Sequence, residues 1–199
     1  MHRVTIVVVS VALAAAIFTG SVSANSDGDS LVNRLGQAPA VSPVVPPEAA
    51  TDASAATAAR VTVPLVAERA GGAAASAASD AVSPAGCVAS IDDAHIATSI
   101  ANAVKVNARI TCRRAVQALA LRVDLYKKHF FGLLNSLQAS TTTSNTGRAS
   151  LQNQGTFRHC TNHKSTKWFG TAQAASLEGG VVYTASVVSP HVRTLNCGT

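Results

Sequence analysis

The chain has 199 residues, and its 16 Lys and Arg against 10 Asp and Glu give a net charge of +6. This charge is uneven, because residues 25–86 carry 3 − 6 = −3 whereas residues 87–199 carry 12 − 4 = +8. The four acids of the basic part argue against a glycoside hydrolase, which needs two facing carboxyl groups, and the chain has neither a Gly-x-Ser-x-Gly motif nor a phosphate-binding glycine loop.

The first segment, residues 1–24, is organised like a signal peptide. A short basic start precedes an apolar run over residues 4–18, and a small residue, Ala24, occupies the position that a signal peptidase recognises. The run is shorter than the ~20 residues that cross a bilayer. We therefore expect cleavage between Ala24 and Asn25, no transmembrane segment after cleavage, and a secreted or cell-wall-associated protein.

The next segment, residues 25–86, is rich in Ala, Ser, Thr and Pro and lacks aromatic residues and cysteines. Such a composition buries too little apolar surface to offset the entropy of ordering, so it predicts a disordered low-complexity linker or pro-segment. Residues 31–35 and 61–66 are apolar enough to be ordered. Pro64 excludes the second of these from the centre of a sheet.

Residues 87–199 are predicted to form one β domain, because apolar and polar residues alternate over 104–112 and again over 119–126. The predicted strands are 87–92, 103–112, 116–127, 130–139, 148–159, 166–175, 180–188 and 192–197. Turn-forming residues stand at 92–93, 144–147, 161–162, 178–180 and 189–190. This spacing predicts an all-β fold, a small disulfide-stapled sandwich of the immunoglobulin-like or a similar Greek-key type.

Two segments also fit a helix. Residues 115–128 contain apolar residues three or four apart and several good helix formers. A helix would leave Leu121 and Leu125 off the apolar face, whereas a strand places both on the same face as Leu119 and Val123, so we favour the strand. Residues 130–137 are similarly ambiguous.

All four cysteines lie in the basic part of the chain: Cys87, Cys112, Cys160 and Cys197. An even number of cysteines in an exported domain indicates disulfides, and four cysteines allow three pairings. We prefer Cys87 with Cys112 and Cys160 with Cys197, because each pair joins segments that can be neighbours in a sheet.

A set of spaced residues in 87–199 carries a family resemblance. These residues are Cys87, His95, Cys112, Leu125, Tyr126, Cys160, Thr161, Asn162, Trp168, Gly170, Ala172 and Cys197. In this pattern the chain resembles small exported actinobacterial proteins with two disulfides and no assigned function. The resemblance implies a sandwich-like β domain and the same disulfide pairing, and it implies no catalytic residues. The long segment 25–86 is not part of the pattern.

The best metal-like cluster is His159-Cys160-Thr161-Asn162-His163, but zinc would need a thiolate and a fourth ligand. In an oxidising compartment Cys160 belongs in a disulfide, so we expect no metal and no cofactor. The hydroxyl groups of residues 140–144 indicate a polar loop rather than a nucleophile. No catalytic constellation is visible, and we expect a protein that is not an enzyme.

Basic residues stand at the predicted strand ends and around the one tryptophan. They are Arg113, Arg114, Lys127, Lys128, Lys164 and Lys167, with Trp168 beside the last. If these ends converge, they form a basic rim for an anionic cell-envelope polymer; alternatively, Trp168 fills the core. We therefore expect a monomeric, non-enzymatic exported module, with no nucleic-acid partner. The alternatives are an exported hydrolase with an unrecognised site and a secreted inhibitor or effector.

Overall fold

The computed structural model describes residues 26–37, 59–67, 81–129 and 135–199. Within these ranges the chain forms mostly β-strands and one helix, α1 (Ser26–Gln37). The strands are β1 (Arg60–Pro64), β2 (Val66–Ala67), β3 (Val88–Asp92), β4 (His95–Ile96), β5 (Ala103–Lys128), β6 (Asn135–His159), β7 (Asn162–Glu178), β8 (Val181–Val188) and β9 (Arg193–Gly198). The all-β class is therefore confirmed for this part of the chain. The predicted signal peptide and its cleavage site at Ala24 and Asn25 lie outside the described residues.

The nine strands form one antiparallel sheet that is nearly closed. Its order is β1-β3-β5-β7-β8-β2, with β4 and β6 also paired to β5, and β9 to β7. The strands at the two ends of this order, β1 and β2, are consecutive in the chain and only Leu65 separates them. The stretch 60–67 therefore joins the two ends of the sheet.

Strand β5 is the central element of the sheet. Its apolar residues Leu119, Leu121, Val123 and Leu125 alternate along the strand and are all fully buried in the main core. The helix considered for 115–128 is wrong, since burying all four of these side chains on one face requires the period of two that an extended strand provides. Of the ambiguous segment 130–137, residues 135–137 belong to β6 and residues 130–134 lie outside the described residues.

The turn predicted at 144–147 is wrong, because β6 continues through it. Gly147 adopts a φ of +63° and stands next to a bulge where the β5–β6 register shifts between Thr111 and Val116. A bulge bends an extended chain without reversing it, so turn-forming residues here change the direction of a strand instead of ending it. The turns predicted at 178–180 and 189–190 are confirmed, the first as a two-residue hairpin turn between β7 and β8.

The bend brings the two halves of the β5–β6 hairpin against each other. Thr141, in the first half of β6, donates its hydroxyl to Asn153 Oδ1 in the second half at 3.0 Å. Asn153 in turn donates to the carbonyl of Thr141 at 3.0 Å, and the hydroxyl of Thr156 donates to the carbonyl of Val123 at 3.4 Å. Because Asn153 and Thr156 are buried, these bonds satisfy polar groups that would otherwise lack partners.

Each disulfide joins the chain just before one strand to a second strand of the sheet. Cys87 is bonded to Cys112 and Cys160 to Cys197, which is the preferred pairing of the three that four cysteines allow. The first bond links the start of β3 to β5, and the second links the start of β7 to β9. Cys87 and Cys197 are fully buried, so the staples lie within the core.

Three stretches of the predicted linker 25–86 are ordered, and the prediction of disorder is wrong for them. Leu31 and Leu35 of α1 pack on small residues of the sheet, Ala118, Ala120 and Ala175. Residues 60–67 pair with β3 and β8, and residues 81–86 contact the same core. Two of these stretches contain residues 31–35 and 61–66, the pieces that are apolar enough to be ordered, and residues 81–86 were not expected to be. All three bury little by themselves but complete surfaces that the domain leaves uncovered. Residues 38–58 and 68–80 lie outside the described residues.

Candidate anion-binding surface

The bulge in β5 places two adjacent arginines outside the core. Thr111 is paired with Ser150 and Val116 with Arg148, so residues 112–115 of β5 stand opposite the single residue 149. Arg113 and Arg114 are exposed within this bulge, and Arg148 is exposed opposite its end. We call these three residues the arginine bulge.

Local constraints fix the arginine bulge on both sides. Before it, Cys112 is held in its disulfide, and after it Val116 is buried in the main core. The amide of Arg113 also donates to the carbonyl of Ala85 at 2.9 Å. The neighbouring Gly86 has a φ of +61°, and a Cβ there would stand 3.0 Å from Cδ of Arg113. The lack of a side chain at Gly86 therefore lets the 83–87 turn lie close against the bulge.

A cleft of about 190 Å³ opens beside the bulge. Its lining consists of Arg114, Ala115, Val116, Gln117, Glu178 and Gly179. Glu178 accepts hydrogen bonds from the Ser83 hydroxyl at 2.6 Å, the Ser176 hydroxyl at 2.8 Å and the Ala85 amide at 2.9 Å. Its carboxylate is thus committed to holding the 83–87 turn against β7.

The other three acids of 87–199 are also engaged within the protein. Asp92 pairs with Arg60 at 2.6 Å, and this hydrogen bond raises the pKa of the Arg60 guanidinium above its ordinary value. Asp124 is 4% exposed, pairs with Arg122 at 3.1 Å and also accepts from the hydroxyl of Ser140. A buried carboxylate needs such partners, since desolvation without them is costly.

The fourth acid, Asp93, is 2% exposed and holds the chain before β9. Its two oxygens contact the backbone amide of His191 at 2.9 Å and Nδ1 of the same residue at 3.1 Å. Ser189 lies two residues away, but its hydroxyl donates to the carbonyl of His191 and accepts from the amide of Gly170. These contacts do not link the hydroxyl to the imidazole, so the three residues do not form a Ser-His-Asp triad.

The residues proposed for one basic rim fall into two groups. Arg113 and Arg114 lie in the bulge, whereas Lys127 and Lys128 lie at the far end of β5, about 40 Å further along the strand. Lys167 is paired with Lys128 at that far end, and Lys164 precedes it on β7. The extended part of β5 between the bulge and Lys128 keeps the two groups apart, so they do not converge as the rim required.

Trp168 takes no part in a surface. It is fully buried in the main core and donates its Nε1–H to the carbonyl of Cys197 at 3.1 Å. The alternative in which this side chain fills the core is therefore correct. In the cluster His159 to His163, the sulfur of Cys160 is bonded to Cys197 in a disulfide. Among the described residues, no three His, Cys, Asp or Glu side chains are grouped so that they could hold a metal ion.

Sequence reasoning missed Arg148 and Arg109. Arg148 begins the predicted strand 148–159, directly after the turn predicted at 144–147, and no predicted pairing sets it opposite Arg113 and Arg114. Arg109 is exposed on β5 two residues before Thr111, and its cross-strand neighbour is Gln152. The alternation over 104–112 places Arg109 on the solvent side. Only the bulge, which the sequence does not show, relates it to Arg113, Arg114 and Arg148.

The chain matches no protein-family model, no curated protein and no solved structure. Among the residues that the structure describes, no helix has the length and apolar character needed to cross a membrane.

Proposed function

We propose that this protein is an exported, non-enzymatic module that binds an anionic polymer of the cell envelope through the arginine bulge. The observation that carries the proposal is the separation of charge. All four acids of 87–199 accept hydrogen bonds inside the protein, while Arg113, Arg114 and Arg148 are exposed together. A ligand approaching this side therefore meets positive charge, which attracts polyanions.

Export is part of this proposal. Two disulfides support it, since such bonds persist in oxidising compartments, and we place cleavage between Ala24 and Asn25. A sandwich of immunoglobulin-like or Greek-key type is also proposed, and the contacts between the two halves of the bent β5–β6 hairpin support two facing layers.

Binding to long-chain inorganic polyphosphate, followed by fluorescence anisotropy over a range of salt concentrations, tests the function. We expect the affinity to fall steeply as salt rises, because binding releases counterions from the polymer. Changing Arg113, Arg114 and Arg148 to Gln should weaken binding by about tenfold, since three exposed pairs at roughly 0.5 kcal/mol each sum to about 1.5 kcal/mol, and about 1.4 kcal/mol corresponds to a factor of ten.

The matched control removes the same charge elsewhere, by changing Lys127, Lys128 and Lys164 to Gln. The control should bind within about twofold of the wild type if location decides. Equal weakening by both triple variants would show that only net charge matters, and binding indifferent to salt would reject the proposal. Uncharged dextran serves as the polymer control and should not bind.

A further inference from the structure

The first half of β6 is an unpaired sheet edge. Among the described residues, β6 pairs along one side only, with β5. Its other side has no partner strand among the described residues, and a sheet edge without a partner is the feature that lets a further strand add to a sheet. Ser140, Thr142 and Ser144 are exposed. The helix α1 lies near one end of this stretch, where a Cβ at Gly28 would stand 3.6 Å from Oγ of Ser144, and no described strand pairs with the stretch on this side.

This edge lacks the features that normally prevent strand pairing. Residues 135–147 include no charged residue and no proline. The outer strand β1, by contrast, carries Arg60 and Pro64, and the second half of β6 carries Arg148 and Arg158. Charged side chains and proline are the usual means of protecting an edge, so β1 and the second half of β6 are protected in a way that residues 135–147 are not.

The sequence of the open edge is self-complementary. Residues 140–144 read Ser-Thr-Thr-Thr-Ser in both directions, with Thr142 at the centre. In an antiparallel pairing with a second copy, Thr142 stands opposite its own counterpart, Thr141 opposite Thr143, and Ser140 opposite Ser144. Threonine has high strand propensity, and cross-strand Thr and Ser pairs are favourable.

The same pairing avoids charge repulsion between two copies of a basic chain. With Thr142 at the two-fold axis, Arg148 stands opposite Ser136 of the other copy, since the two numbers must sum to 284. The two Arg148 residues are then twelve residues apart along the strand direction, about 40 Å, which is well beyond the screening length of about 10 Å at 0.1 M salt.

We propose that two copies of this chain form a two-fold symmetric dimer by antiparallel pairing of β6 about Thr142. The symmetric sequence identifies a second copy as the occupant, because a two-fold interface brings the same stretch of both chains together. This dimer replaces the monomer expected from the sequence and does not depend on the polyanion-binding function.

Sedimentation velocity of the purified full-length protein, from micromolar to millimolar concentration, tests the dimer. We expect the mass to approach twice that of one chain as concentration rises. Thr142→Glu should weaken dimerisation by about tenfold or more, since it places two like charges directly opposite each other. Within one chain residue 142 is the cross-strand neighbour of Arg122, so the new carboxylate is tolerated there.

Two further variants keep the test decisive. Thr142→Gln has a similar size without charge and should dimerise like the wild type. Thr142→Lys should be monomeric alone, yet a mixture of the Glu and Lys variants should form heterodimers, detected by native mass spectrometry, because opposite charges then face each other. The proposal would be overturned if the wild type stayed monomeric at every concentration. It would also be overturned if Thr142→Glu dimerised like the wild type, or if the mixture of the Glu and Lys variants formed no heterodimers.

Discussion

The buried carboxylate of Asp124 is balanced by groups within the protein. Asp124 lies between Arg122 and Ser140, and the Arg122 guanidinium also reaches the carbonyl of Leu35 on α1 at 3.5 Å. Beside this group, Tyr126 stacks on Phe169 with ring centroids 5.3 Å apart. Burial, and then the negative charge of Asp124, raise the pKa of Tyr126 above its ordinary value of 10.0, against smaller opposing effects of Arg122 and Thr171.

The raised pKa of Tyr126 predicts a loss of stability at alkaline pH. Above pH 10 the unfolded chain releases the phenolic proton while the folded chain retains it, so the free energy of unfolding falls as pH rises. We expect Tyr126→Phe to make this fall shallower, as measured by urea unfolding at a series of pH values from 8 upward. A Tyr126→Phe protein with the same pH dependence as the wild type would contradict the assignment.

Gly170 predicts a second effect of a single residue. It is buried on β7, and a Cβ at this position would stand 2.6 Å from Cγ2 of Val106. We expect Gly170→Ala to lower the free energy of unfolding by about 1–3 kcal/mol through overpacking. Gly155→Ala is the control, because the nearest atom to its added Cβ is 3.9 Å away. If both variants melt at the wild-type temperature, the close approach of Val106 to Gly170 is not present.

At the scale of elements, residues 60–67 belong to the same folded domain as residues 87–199, so the domain does not begin at residue 87. Leu65 is fully buried, its amide donates to the carbonyl of Cys87 at 3.0 Å, and its carbonyl accepts from the amide of Ser83 at 2.9 Å. These contacts place it in the same core as the strands that follow residue 87. A fragment that begins at residue 87 would expose this part of the core.

Leu65→Ala tests that boundary. We expect it to lower the free energy of unfolding by about 2–5 kcal/mol, the usual cost of a cavity left by a buried leucine. Thr62→Ala, on the exposed side of the same stretch, should change stability by less than about 0.5 kcal/mol. Both are measured by denaturant unfolding of the full-length protein. No difference between the two variants would show that 60–67 is dispensable, as a linker would be.

The strands of the domain could be predicted because their large apolar residues alternate strongly. The alternating Leu119, Leu121, Val123 and Leu125 are an example, since only an extended strand buries these four side chains on one face. The bulge at 112–115 and the closure by 60–67 could not be predicted, because both depend on partners far away in the chain. Ser144 to Gly147 contain the residues of a turn, and only the pairing with β5 decides that the strand continues.

The candidate site could be predicted only in part, because residues distant in the chain decide which cations lie together. Arg113 and Arg114 stand out in the sequence as a basic pair at a predicted strand end, but their relation to Arg148 depends on the register of β5 against β6. The rim required basic residues at different strand ends to converge, whereas Arg113 and Arg114 lie in the bulge and Lys127 and Lys128 lie at the far end of the same strand. Trp168 was placed correctly only by the alternative that assigned it to the core.

For the molecule as a whole, the distribution of charge connects the fold to the proposed function. The nearly closed sheet buries or binds its acids, and the bulge turns Arg113 and Arg114 outward next to Arg148. Net charge alone would attract a polyanion to any side of the chain. We propose instead that the polyanion contacts the arginine bulge, where residues 112–115 of β5 stand opposite residue 149 of β6.

Amide chemical-shift mapping with ¹⁵N-labelled protein and inorganic polyphosphate tests this claim most directly. We predict that the largest shifts occur at residues 109–117 and 147–150 and disappear at high salt, because they report contact with the arginine bulge. Shifts centred on Lys127, Lys128 and Lys167, or spread evenly over all exposed cations, would contradict the account.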